Sequence, residues 1–146
     1  MTADNSIAEH NLGSALLDEP GRLPDAIVHL QAALQLGSDS AQAHSDPGSA
    51  LAKTGQTQQA IQEFRTALRL DPASAIVHNN LANALAAGGQ AQEAISEYQA
   101  ALRIDPDYAE AKQNLAMARR DLAAAHYNAG VALAREGRAS EAIAEI

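Results

Sequence analysis

A 34-residue period runs through this chain, and no other feature restricts its fold as strongly. His44 falls on His78, Gly55 on Gly89, Ala60 and Ile61 on Ala94 and Ile95, Phe64 on Tyr98, and Asp71-Pro72 on Asp105-Pro106. The same offset returns Gly55 to Gly21, Ala60 to Ala26 and Ala67 to Ala33, so a third copy lies upstream. Self-similarity at such a period marks arrays whose units bury their apolar faces only by stacking on one another. In residues 75–108 the side chains Leu81, Leu85, Ala94, Ile95, Tyr98, Ala101 and Leu102 recur three and four apart in two groups, as on one face of a helix. Gly88-Gly89 separates the groups and permits a left-handed backbone where the first helix ends, and Asp105-Pro106 stops the second. Each unit therefore reads as a helix–turn–helix hairpin. Ala82, Ala94 and Ala101 fall where its two helices approach, and 35 alanines against 16 leucines, without tryptophan, favour close-packed helices over a β-sandwich.

These residues resemble the tetratricopeptide repeat. Its pattern has a large residue at position 4, Leu at 7, Gly or Ala at 8, an aromatic or Leu at 11, Ala at 20, an aromatic at 24, Ala at 27 and Pro at 32. Residues 75–108 match at Leu81, Ala82, Leu85, Ala94, Tyr98, Ala101 and Pro106, and residues 41–74 at Gly48, Leu51, Ala60, Phe64, Ala67 and Pro72. The upstream copy supplies Leu12, Gly13, Leu16, Ala26, Leu30 and Ala33, with one extra residue in its turn near Pro20, and a C-terminal copy supplies Gly130, Leu133, Gly137 and Ala142. The resemblance spans essentially the whole chain. It implies an all-α fold, a right-handed α-solenoid of stacked antiparallel hairpins forming one array over residues 1–146. The repeats are expected at about 6–40, 41–74 and 75–108, followed by a lone or extended helix over 107–122 and a partial repeat over 123–146.

Three stretches depart from the pattern. Pro47 stands where the second repeat should carry a leucine. Either the helix runs through it at about 3 kcal/mol, or it starts there with Asp46 as N-cap and residues 41–46 extended or kinked. After Asp107 a first helix is followed, only 14 residues on, by the next first helix near Ala123. Fourteen residues is about 3.9 turns, which keeps the apolar stripes in phase and predicts one long helix of roughly 45 Å. Finally, the sequence stops at Ile146 part-way through a second helix, so the array reads as truncated or completed by a partner. Leu122, Tyr127, Val131, Leu133, Ile143 and Ile146 are the side chains left to cover, which predicts a homo-oligomer joined through residues 107–146.

Charge and composition narrow the function. A net charge of −8 leaves no surface suited to neutralising phosphates, so nucleic acid and anionic membranes are not expected partners. With no cysteine there is neither a disulfide nor a thiolate site, and no basic leader or membrane-length apolar run is present, so the chain reads as soluble and cytoplasmic. No phosphate-cradling loop, HExxH or nucleophile motif occurs, so no enzymatic activity and no cofactor are expected. His44, His78 and His126 share position 4, but successive repeats stand roughly 10 Å apart, too far for one metal whose ligands lie at ~2.0–2.1 Å, so they read as half-buried structural residues.

The resemblance places positions 2, 5, 6, 9, 12 and 13 on a concave face. Position 6 reads Asn11, Asp46, Asn80, Asn114 and Asn128, four asparagines and their acidic isostere. An amide both donates and accepts, so such a row can pair with an extended peptide backbone regardless of its side chains. The row resembles the asparagine ladder in the superhelix of O-linked N-acetylglucosamine transferases. Asn79, Asn83, Met117 and Tyr127 are further groove candidates. The chaperone-binding carboxylate clamp needs lysine and arginine at positions 2, 5 and 6, but position 2 reads Ile7, Gln42, Ile76 and Glu110, and position 6 carries no base. The expected function is a non-catalytic scaffold for a protein or peptide segment. The alternative is a self-assembling structural segment, possible as part of a longer protein with an enzymatic domain elsewhere.

Overall fold

The computed structural model describes residues 2–135 and 138–144. Eight helices follow one another in that range: α1 (Thr2–Leu16), α2 (Leu23–Gln35), α3 (Ala41–Lys53), α4 (Thr57–Leu70), α5 (Ala75–Ala87), α6 (Ala91–Ile104), α7 (Ala109–Arg135) and α8 (Ala139–Ala144). No described residue forms a strand, and no helix is long and apolar enough to cross a membrane. The pairs α1–α2, α3–α4 and α5–α6 form hairpins, and the second helix of each packs on the first helix of the next, giving an α-solenoid.

The punctuation in the sequence sets the turns. Gly55 and Gly89 adopt φ of +79° and +78°, a conformation that side-chain-bearing residues rarely tolerate. Around them the amides of Gln56 and Gln90 reach back to the carbonyls of Leu51 and Leu85, at 2.8 and 2.9 Å, in a Schellman closure. At the far ends of the second and third hairpins the Asp71 and Asp105 carboxylates accept from the amides of Ala73 and Asp107 and carry the chain past the prolines.

In the first two hairpins a glycine on the first helix faces a large residue on the second. At Gly13 a Cβ would stand 2.6 Å from Leu30 Cγ and 3.0 Å from the Leu30 backbone nitrogen. Neither atom is a flexible chain end, so Gly13→Ala is expected to wedge the first hairpin apart and destabilise by about 1–3 kcal/mol, read by urea denaturation. Adding Leu30→Ala should recover part of that loss if the contact is its cause.

An acid–base pair also links the two helices of each hairpin. Nδ1 of His44 lies 2.7 Å from a Glu63 carboxylate oxygen, and Nδ1 of His78 lies 2.6 Å from Glu97. In the first hairpin the partners are exchanged, with Glu9 on α1 and His29 on α2 at 2.6 Å. Of the histidines at position 4, His44 and His78 thus pair within their own hairpins, whereas His126 is exposed on α7.

Pro47 lies inside α3, which begins at Ala41 under a Ser40 cap whose hydroxyl accepts from the Ala43 amide. The alternative of a helix starting at Pro47 with Asp46 as N-cap and residues 41–46 extended is therefore corrected. Residues Ala43, Pro47, Ala50 and Leu51 form a buried stripe, and covering it outweighs the single hydrogen bond that proline removes.

Helix α7 is one helix of 27 residues, about 40 Å long. Its first half receives α6 through Ala111 and Leu115, both buried. Where α3 and α5 turn Leu51 and Leu85 into their hairpins, α7 presents exposed Arg119, with Lys112 also exposed, so no second helix is received there. Its second half pairs with α8 in a hairpin closed by the same long-range turn bond, Arg138 amide to Leu133 carbonyl at 3.0 Å. Of the residues left to cover, Tyr127 and Ile143 are exposed and Leu122, Val131 and Leu133 are half-buried. Gly137 and Ile146 lie outside the described residues, as does the side chain of Ala142.

Candidate peptide-binding groove

A cavity of about 450 Å³ opens between α1, α3 and α5, lined by Leu17, Asp18, Ser49, Ala52, Lys53, Phe64, Asn80 and Asn83. Its floor is apolar, formed by Leu17, Ala52 and the Phe64 ring. Phe64 reaches that floor from α4 because Gly48 has no side chain: a Cβ there would stand 2.9 Å from the ring. Asp18 and Lys53, 3.8 Å apart and both exposed, sit at one edge. Asn80 and Asn83 supply amides on the opposite side.

The asparagines behave differently from one another. Asn79 is fully buried and donates to Glu110 Oε1 at 3.1 Å. Asn114 donates to both Asn79 Oδ1, at 3.3 Å, and Asn83 Oδ1, at 3.1 Å. The Tyr98 hydroxyl adds a 2.6 Å bond to the same Asn83 oxygen. Burial, and then the Glu110 carboxylate, raise the Tyr98 phenol above its ordinary pKa, which keeps it a donor. These groups form a continuous network tying α5, α6 and α7 together. Asn80 stands outside it, half-buried at the cavity wall with no hydrogen bond to any described residue.

Asp46 is also engaged, accepting from the Ser14 hydroxyl at 2.7 Å and from the Gln42 amide, with His10 Nε2 at 3.4 Å. Ser14, His10 and Asp46 thus meet, a grouping that could suggest a nucleophile relay. The geometry opposes one: the Ser14 proton goes to Asp46, and His10 Nδ1, which a relay would anchor on a carboxylate, is buried without a partner. The cluster instead joins the first hairpin to the second.

Among the groove candidates, Asn80 and Asn83 line the cavity, while Asn79 and Asn114 are joined to Asn83 in the internal network. Asn11 and Asn128 lie exposed toward the two ends of the array, outside the cavity, and Met117 and Tyr127 are exposed on α7. Phe64 escaped the sequence reading as a groove residue, because position 24 reads as core. The signal available was the glycine at position 8 opposite Phe64, which leaves its ring room to approach the concave face.

Residues 46–109 match the sequence model of the tetratricopeptide repeat. That stretch therefore carries tetratricopeptide repeats, and the stacked hairpins on either side of it share the architecture. The crystal structure of MamA resembles it with a TM-score of 0.73 at 26% identity, covering 97% of this chain and 74% of that one. A mutant O-GlcNAc transferase of Thermobaculum terrenum matches with a TM-score of 0.68 at 28% identity over 77% of this chain, which spans only 22% of the transferase. The first TPR domain of Spaghetti (RPAP3), bound to the HSP90 peptide SRMEEVD, shares the fold with a TM-score of 0.78 at 17% identity, over 83% of this chain and 95% of that one. No curated protein sequence matches the chain at a significant level.

Proposed function

We propose that this protein is a non-catalytic scaffold that holds an extended segment of a partner protein in the groove between α1, α3 and α5. The observation that carries the reading is Asn80, an amide at a cavity wall whose donor and acceptor are both unused, above an apolar floor of Leu17, Ala52 and Phe64. An apolar ligand side chain fills the floor while the ligand backbone pairs with the Asn80 amide. Asn79, Asn83 and Asn114 support that wall by holding α5 and α7 in register. Lys53, paired with Asp18, is the one lysine or arginine lining the cavity, so a cluster of basic side chains that would select a terminal carboxylate is not built here.

The test begins with a random peptide library panned against the whole chain. It should enrich extended sequences with a recurrent apolar residue, and Asn80→Ala should weaken a selected peptide by about 1–3 kcal/mol, because a buried peptide group loses its partner. The stability of the free protein should be nearly unchanged, since Asn80 makes no internal bond. Undiminished affinity in the variant would remove Asn80 from the mechanism.

A further inference from the structure

We infer that Glu110 fixes, through Asn79 and Asn114, which end of the Asn83 amide enters the groove, so that the ligand must present an oxygen acceptor beside Asn83. The inference rests on the groove reading and adds to it the polarity of one wall. Asn83 is exposed and lines the cavity one turn along α5 from Asn80.

A carboxylate only accepts hydrogen bonds, whereas a primary amide donates from its nitrogen and accepts at its oxygen. A chain of amides that starts at a carboxylate therefore has one orientation throughout. Here it starts at Glu110 Oε1 on α7, which accepts from Asn79 Nδ2 at 3.1 Å. Asn79 Oδ1 is left facing Asn114, whose Nδ2 donates to it at 3.3 Å and to Asn83 Oδ1 at 3.1 Å. The Tyr98 hydroxyl donates to the same Asn83 oxygen at 2.6 Å. Both lone pairs of that oxygen are thus taken, and no described residue accepts from Asn83 Nδ2. The end of Asn83 left for the cavity is its NH2 group.

The two amides of this wall consequently differ in what they recognise. Asn80 has no internal bond, so it can turn to suit a donor or an acceptor, whereas Asn83 can only donate. An extended segment satisfies Asn83 with a backbone carbonyl or with a side-chain carbonyl oxygen. A segment that places an N–H there sets two donors against each other and is rejected.

The probe is a peptide selected from a random library on the whole chain. Asn83→Asp keeps an acceptor for Tyr98 and Asn114 and exchanges only the cavity-facing NH2 for oxygen. It should weaken the peptide at least about tenfold while the unfolding midpoint stays unchanged. Glu110→Lys, outside the cavity lining, replaces the acceptor by a donor and turns each amide in succession, the Tyr98 hydroxyl then accepting. It should weaken the peptide comparably, whereas Glu110→Gln, which still accepts, should bind within about twofold of the parent. Without ligand, NMR should show the Asn83 NH2 protons exchanging with water as fast as those of Asn80, and more slowly in Glu110→Lys. Replacing the peptide's side-chain oxygens through alanine, and its backbone carbonyls singly by thiocarbonyls, should find one position that matters to the parent but not to Asn83→Asp. That position tells whether the acceptor is backbone or side chain. Full affinity in Asn83→Asp with loss in Asn80→Ala overturns this inference and leaves the groove reading standing, whereas full affinity in both overturns the groove reading with it. An Asn83 NH2 as protected in the free protein as that of Asn79 overturns the inference whatever the peptide does.

Discussion

Phe64→Ala is expected to lower the stability of the protein by about 3–5 kcal/mol, the range for removing a buried aromatic ring that its surroundings cannot replace. Phe64 is 1% exposed and belongs to the continuous core running through the second and third hairpins with Leu51, Ile61, Leu81 and Leu85. The void would open directly beside Gly48, which has no side chain to fill it, so collapse around the site is limited. Urea denaturation followed by circular dichroism measures the effect, and Phe64→Leu, which keeps most of the volume, should lose markedly less. Because a repeat array is stabilised by contacts between neighbours, the loss should spread to the adjoining hairpins. The same substitution removes the floor of the groove and should abolish binding of a selected peptide even where the protein remains folded. A loss below about 1 kcal/mol would show that the second hairpin repacks, contrary to the structure described.

Pro47→Leu is expected to act in the opposite direction, stabilising by up to about 3 kcal/mol. Helix α3 runs from Ala41 to Lys53 through the proline, so the Ala43 carbonyl lacks the amide that residue 47 would normally provide. Leucine restores that donor and is the residue that the equivalent positions Leu81 and Leu115 bury. The midpoint of urea unfolding should rise, with no change in its steepness. A midpoint that falls would mean that the pyrrolidine ring is fitted to a packing that leucine cannot enter.

The contrast between these positions shows what could be read without coordinates. Gly55, Gly89, Asp71-Pro72 and Asp105-Pro106 act through local backbone geometry, so their meaning is present in the residues themselves, and with it the hairpin boundaries. Pro47 could not be settled in that way, because the outcome depends on how much apolar surface the stripe Ala43, Pro47, Leu51 buries against other helices. The histidines at position 4 lie between the two cases. Their partners Glu63 and Glu97 recur 19 residues downstream, a regularity visible in the sequence once hairpins are assumed.

The asparagines were least legible. Position 6 marks a side of the solenoid, but it does not say whether an amide on that side is already engaged. Asn114 is engaged because Asn79 and Asn83, one turn apart on α5, lie within reach of its amide nitrogen. Asn80 is available because its own neighbours across the cavity are Leu17, Ala52 and Lys53, which do not bond to it. Glu110, at position 2 of the following unit, was the one sequence hint that Asn79 is internal rather than ligand-facing.

A groove that receives a peptide at Asn80 is tested most directly by a chemical-shift titration of the isotope-labelled whole chain with a library-selected peptide. The predicted result is movement of the Asn80 side-chain amide together with the backbone amides of Leu17, Ala52 and Lys53, while the internally bonded side-chain amide of Asn79 stays in place. Shifts confined to α2, α4 and α6, with Asn80 unmoved at saturation, would contradict it.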